Sequence, residues 1–277
     1  MTSVRPARRF DWSNLRQRAT SAILLAPLAL VAVGIGKWAL LVVLAAAAAV
    51  LANEWTAMSC RRSSLKVALA ITVTVVAALC LGYLGHYRIA WLVVVLSSLL
   101  CALVARGVAE RPSDAAFGAI YIGIPSIALS WLRASQYGLE WTILLLAVTW
   151  SADIAAFVVG NLFKGPKLWP RFSPNKTWSG FVGGLAAAMI ASVVVAAIAH
   201  RHIELSLPAA ALLGLVGGLA TMGGDLLESV LKRRFGVKDS GDLIPGHGGL
   251  LDRVDGLMVA ILAVAAARLI HLAGWAG

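Results

Sequence analysis

The chain alternates long apolar runs with short polar connections. Nine runs reach or approach the roughly twenty mostly apolar residues that a helix needs to cross a bilayer. They lie near residues 19–36, 38–55, 65–84, 89–105, 115–132, 140–160, 179–199, 207–231 and 254–274. Hydrocarbon offers no partners to free backbone groups, so each run is read as a helix that satisfies its own. The pattern predicts an all-α polytopic membrane protein with about nine transmembrane helices.

The connections give the direction. Cytoplasmic loops are enriched in Lys and Arg. With nine spans, one side holds nineteen of the 24 basic residues, and the other holds Lys37, Arg88, Arg133, Arg201 and Arg268. The N-terminus is therefore expected in the cytoplasm, in an integral protein of the cytoplasmic (inner) membrane. Arg5, Arg8, Arg9, Arg16 and Arg18 before the first run imitate a signal peptide. The run itself lacks a small-x-small site followed by a polar start, and it is expected to be retained.

Composition supports the membrane reading: of 277 residues, 60% are hydrophobic and 13% charged, outside the usual range of soluble domains. The net charge of +11 comes without a separate basic module. That argues against nucleic acid and for anionic lipid head groups or phosphate substrates. Cys60, Cys80 and Cys101 have no C-x-x-C pairing and read as packing residues. No sequence repeat relates the two halves, which weakens a cation-coupled transporter with intramembrane ion sites at Asp153 and Asp225.

Charge then divides the chain. Residues 1–140 carry few charges within spans and read as an N-terminal transmembrane scaffold, and residues 141–277 as a C-terminal catalytic transmembrane region. Between positions 225 and 255, six of the 13 carboxylates stand beside five basic side chains. On a continuing helix Asp225, Glu228, Ser229 and Lys232 share one face. Asp252 and Asp255 stand three apart at the start of the ninth span. Hard oxygen ligands favour magnesium over zinc, with Asp225 and Asp252 the first-choice ligands. The competing reading of both is an ion pair with Lys232 or Arg253.

Three other features stay open on sequence alone. Gly246-His247-Gly248-Gly249 reads either as a phosphate cradle or as a tight turn after Pro245. The Gly217-Gly218 and Gly223-Gly224 pairs read as helix contacts before catalysis. The segment Ser173-Pro174-Asn175-Lys176-Thr177-Trp178 reads as a triphosphate holder or as a solvated loop obeying topology. Asp153, within span six, needs a cation, a metal or a water-filled cavity.

At these residues the chain resembles the phosphatidate cytidylyltransferases, also called CDP-diacylglycerol synthases. The pattern S-x-x-K-R-x4-K-D-x-G-x3-P-x-H-G-G-x2-D-R-x-D is met by Ser229, Lys232, Arg233, Lys238, Asp239, Gly241, Pro245, His247, Gly248, Gly249, Asp252, Arg253 and Asp255. Trp150, Ser151 and Asp153, and then Ser173, Pro174, Lys176 and Thr177, extend the likeness over roughly the C-terminal half. Ser179, Phe157 and Gly256 depart from a frequent glutamate, tyrosine and serine.

The resemblance implies that CTP and phosphatidic acid react to CDP-diacylglycerol and pyrophosphate, in phospholipid biosynthesis, at the cytoplasmic face of the membrane. It implies Asp225, Asp252, Asp239 and Lys232 as catalytic residues, and Mg2+ on Asp225, Asp252 and Asp255, with room for a second cation of unknown identity. Ser173, Lys176, Thr177, Ser229, Arg233, Lys238, His247, Gly248, Gly249 and Arg253 would contact substrate. Membrane lipid is the expected surrounding, and the glycine-rich helices leave room for a homodimer. A CDP-alcohol phosphotransferase shares the D-x2-D-G opening of Asp252 to Gly256, but no acidic residue follows Asp255. A CTP-dependent polyprenol kinase would differ in its acceptor.

Overall fold

The computed structural model describes residues 26–60, 64–170, 172–241 and 248–274. Its helices are α1 (Ala26–Ile35), α2 (Lys37–Ser59), α3 (Leu65–Tyr83), α4 (Tyr87–Val104), α5 (Pro112–Ala134), α6 (Gly138–Phe163), α7 (Trp178–Ile198), α8 (Leu207–Arg234) and α9 (Leu251–Leu272). Among the described residues, α2 to α9 are the eight helices long and apolar enough to cross a membrane. The first predicted span is represented by the shorter α1, and residues 19–25 of it lie outside the described residues. The segment read as a loop between spans six and seven is instead an antiparallel hairpin of β1 (Lys167–Trp169) and β2 (Ser173–Thr177).

On α4 and α7 small residues face the bundle and large ones face outward. On α4, Ala90, Val94, Ser98 and Cys101 are buried, whereas Leu92, Leu96, Leu99 and Leu103 are exposed. On α7, the buried positions are Gly180, Gly184, Ala188, Ser192 and Ala196, one every four residues. That stripe lets α6 and α8 approach, because close contact between small residues drives helix association where lipid is as apolar as leucine.

Two apolar clusters meet along α5 and α9. One joins Trp55 and Ile71 to Ile122, Leu251 and Met258, and the other joins Leu132, Trp141 and Val148 to Leu213, Ala260 and Val264. At the junction of α1 and α2, Gly36 has φ 77°, and Arg133 donates to the carbonyl of Val33 at 2.6 Å. The arginine thus satisfies a carbonyl left unpaired at a helix end.

The crossing of α8 and α9 positions the site. A side chain at Gly224 would stand 2.5 Å from the carbonyl oxygen of Asp255, and one at Gly256 would stand 2.8 Å from that of Thr221. The serine frequent after Asp255 in the resembled family has no room here. Gly217 and Gly218 likewise press on Val148 and Ala188, which supports the packing reading of these glycines. Gly223 is different, because nothing lies within 4 Å of its open side. Gly224→Ala is therefore expected to destabilise the folded protein by about 1–3 kcal/mol through overpacking. Gly223→Ala is expected to leave the unfolding midpoint in detergent unchanged, and equal midpoints for both variants would contradict the crossing.

Candidate active site

The charged residues gather at one end of the bundle, where α8 finishes, α9 begins and the hairpin returns into α7. Lys232, in the last turn of α8, holds two carboxylates: its Nζ lies 2.7 Å from Glu228 Oε2 and 2.5 Å from Asp252 Oδ1. The other oxygen of Asp252 accepts from the backbone N–H of Ser240 at 3.0 Å, from the Ser240 hydroxyl at 2.9 Å and from the N–H of Gly249 at 2.8 Å. One side chain thereby fastens α8, the polar loop and α9 together.

A second pair stands beside it. Lys176, on β2, forms an ion pair with Asp225 Oδ2 on α8, which brings the hairpin onto the helix face read from the sequence. Asp153, on α6, lies within electrostatic reach of both. Asp255 accepts from the N–H of Gly256 at 2.7 Å and feels the charges of Asp225 and Glu228. Asp225 and Asp252 thus each have a lysine. The pairing expected for Asp252 is present, and Asp225 takes a lysine from a different segment.

The glycine turn is explained by carboxylates. Gly248 has φ 77°, and a side chain there would collide with Asp252 Oδ2. One at Gly249 would collide with the Ser240 hydroxyl and with Glu54. The N–H groups of Leu250 and Leu251 donate to Glu54 at 2.7 and 2.8 Å. Three successive amides, of residues 249 to 251, are therefore taken by the chain's own carboxylates. Of the four residues read as a phosphate cradle, Gly246 and His247 lie outside the described residues, and the Gly249 amide is engaged by Asp252.

The remaining expected residues fall into four groups. Ser173 opens β2, and the Thr177 hydroxyl caps α7 by accepting the N–H of Gly180 at 3.2 Å. Ser229 is half-buried on α8. Arg233, Lys238, Asp239 and Arg253 are exposed around the site, and Arg233 donates to the carbonyl of Val237 at 3.3 Å. His247 lies outside the described residues.

The profile of the cytidylyltransferase family matches residues 16–271. The chain belongs to that family. The phosphatidate cytidylyltransferase of Brucella suis biovar 1 is 38% identical over 263 residues, covering 95% of this chain and 94% of the relative. Those of Bacillus subtilis and Staphylococcus saprophyticus are each 42% identical, over 143 and 151 residues, or 50% and 53% of this chain and 52% and 56% of theirs.

For a cytidylyltransferase, the fit of a divalent cation follows from the oxygen chemistry. Among the described residues, no group of three or more His, Cys, Asp or Glu side chains is placed so that it could hold a metal ion. The donor chemistry is nevertheless suitable: Asp225, Asp252 and Asp255 offer hard oxygens, and Asp252 Oδ1 is held by Lys232. Beside them, among the described residues, Glu228 Oε1 is buried without a hydrogen-bond partner, an arrangement that favours a nearby cation.

Two residues absent from the expected site proved to belong to its frame. Asp114, at the start of α5, accepts from Arg234 at 2.5 Å through its carboxylate and from Trp55 Nε1 at 2.9 Å through its backbone oxygen. Glu54 had a legible signal, being the sole carboxylate within the first five predicted spans. An ionisable residue inside a span implies a function and a partner.

Lys232→Met would leave Glu228 and Asp252 without their shared cation. Removing one partner of a buried pair costs about 3–5 kcal/mol, so a lower unfolding midpoint in detergent is expected. Adding Glu228→Gln should recover about 1 kcal/mol or more, since residues in one network couple. Strict additivity of the two substitutions would show that the network is not coupled.

Proposed function

We infer that this cytidylyltransferase transfers CMP from CTP to phosphatidic acid, giving CDP-diacylglycerol and pyrophosphate. The observation that carries this reading is the placement of Asp225, Lys176, Lys232 and Asp252 at one end of an apolar bundle. A water-soluble nucleotide and a lipid head group can meet at such a place. The near full-length likeness to a phosphatidate cytidylyltransferase names the pair of substrates.

In this reading a phosphate oxygen of phosphatidic acid attacks the α-phosphorus of CTP. The new phosphorus–oxygen bond forms as the bond to the β-phosphate oxygen breaks, and pyrophosphate leaves with that electron pair. The attacking oxygen is already anionic, so no protein nucleophile and no general base are required. The site's task is to position two polyanions and to offset charge that grows as they approach. Arg233, Lys238 and Arg253, exposed at its rim, supply cations for the phosphates. Lys176 is held against Asp225 and points from the hairpin toward the same face. Lys232, locked between Glu228 and Asp252, acts as an internal tie.

We assign a magnesium ion to Asp225, Asp252 and Asp255, where it supplies neutralisation of phosphate charge when bound. The surrounding lysines and amides fix the orientation of those carboxylates, and Asp239 lies beside Gly248 at their edge. The site faces the cytoplasm and the protein resides in the cytoplasmic membrane, in line with the distribution of basic residues.

Purified protein incubated with cytidine-labelled CTP and phosphatidic acid is expected to place the cytidine label in the lipid. A lipid that gains phosphate alone would point to a kinase. Asp225→Asn and Asp252→Asn are expected to lower turnover by about 10²-fold or more, the scale of losing a stabilising group in the reacting centre. Membrane insertion should be retained, and wild-type turnover in either would remove that residue from the ligand set. Lys176→Ala should raise KM for CTP, and an unchanged CTP dependence would return the hairpin to a purely topological role.

A further inference from the structure

The first turn of α9 has no local cap. Leu250 stands at the N-cap position with no side-chain hydrogen bond, in a place where Ser, Thr, Asp or Asn ordinarily accepts from the first amides. Those amides instead meet a carboxylate from 196 and 197 residues away: Leu250 N–H donates to Glu54 Oε1 and Leu251 N–H to Glu54 Oε2. Glu54 is only 4% exposed, and its other described partner is the Ser240 hydroxyl at 3.5 Å. The buried charge is thus met by two backbone donors and by the positive end of α9.

This contact fixes more than a helix end. Asp252 follows Leu251 directly, and Asp255 lies one turn farther. The Gly249 amide that holds Asp252 belongs to the same turn, and Ser240 touches Asp252 at 2.9 Å and Glu54 at 3.5 Å. A displacement of the α9 start would therefore carry both carboxylates with it. A glutamine at position 54 has one acceptor oxygen and would turn an N–H2 group toward one of the two amides.

We propose that Glu54, supplied by the N-terminal half, is a positioning residue for cytidyl transfer: by gripping the amides of Leu250 and Leu251 it holds Asp252 and Asp255 in place. The proposal rests on those two aspartates belonging to the reacting centre. It also means that the amides of residues 249 to 251 are engaged by Glu54 and Asp252 before any substrate phosphate arrives.

The full chain in detergent, carrying Glu54→Gln, tests this. Misplacement of reacting groups by about an ångström costs on the order of 10²-fold, so kcat of the folded, monodisperse fraction should fall about tenfold to a hundredfold. KM for CTP should stay within about twofold, because the rim cations are untouched. Hydrogen exchange at Leu250 and Leu251 should accelerate, and Glu54→Asp, which keeps the charge, should regain part of the lost kcat. Leu250→Pro is a second route: its φ of −64° already suits proline, and the change deletes the amide donor and sets the ring against the Glu54 oxygen, which breaks the grip from the α9 side. It should lower kcat in the same direction, even where Glu54→Gln gives little folded protein.

Wild-type kcat in the folded fraction of Glu54→Gln, or in Leu250→Pro, would overturn the proposal. So would a loss confined to KM. Asp252→Asn, assayed in parallel, separates the two readings. An inactive Asp252→Asn beside a fully active Glu54→Gln overturns the positioning role alone, whereas a fully active Asp252→Asn overturns the site and this role together.

Discussion

A carboxylate drawn into a helix bundle surrounded by lipid must take its donors from the protein itself, and here that demand converges on the ammonium of Lys232. It bridges Glu228 on its own helix to Asp252 on the next. Asp252 then recruits Ser240 and Gly249, and the turn that presents Gly249 also presents Leu250 and Leu251 to Glu54. Each link supplies a donor that the previous group would lack in hydrocarbon. The polar end is consequently ordered by hydrogen-bond satisfaction, while the remainder of the bundle is ordered by apolar packing, with small residues where helices cross closely.

The two kinds of order depend on each other. The lysine bridge requires α8 and α9 to lie close, and Gly224 against the carbonyl of Asp255 is what permits it. The hairpin reaches Asp225 because Thr177 caps α7 immediately after β2, and Gly180 and Gly184 set α7 against α6. Small residues one turn inside the bundle therefore determine where charges meet at its end. A mutation at a packing glycine and one at a charged residue act on the same geometry from opposite sides.

The spans were legible because run length in lipid is a constraint on every residue of a helix, and α2 to α9 follow it. The shared face of Asp225, Glu228 and Lys232 was legible for a related reason, since helical spacing is local. What escaped was non-local. Lys176 pairs with Asp225 across 49 positions through a hairpin too short and too polar to show strand periodicity. Glu54 meets its amides across nearly 200 positions. The glycines before α9 carried a real ambiguity, because a turn that wraps phosphate and one that wraps a carboxylate place the same demand on the backbone. Only the identity of the enclosed anion differs, and here Asp252 and Glu54 supply it.

The opposite end of the bundle shows why the reaction belongs where it does. Arg268 is 2% exposed there, stacks over Trp141 at 5.0 Å, and donates to the carbonyl of Gln136 at 2.8 Å. Its other terminal nitrogen lies 2.9 Å from His271 Nδ1, and His271 Nε2 lies 3.2 Å from the carbonyl of Glu204. That cluster ties α9 to two connections through an aromatic ring, neutral carbonyls and an imidazole, and Glu140, a carboxylate at the same end, is paired with His202 at 2.7 Å. The Lys232 end has the converse chemistry: several carboxylates, one oxygen of Glu228 without a donor among the described residues, and exposed cations around them. Phosphoryl chemistry between two polyanions needs oxygen ligands for a cation together with rim charges for phosphates. One end of the molecule offers both, while the other is built to hold α9 still, so that the aspartates of its first turn keep their positions.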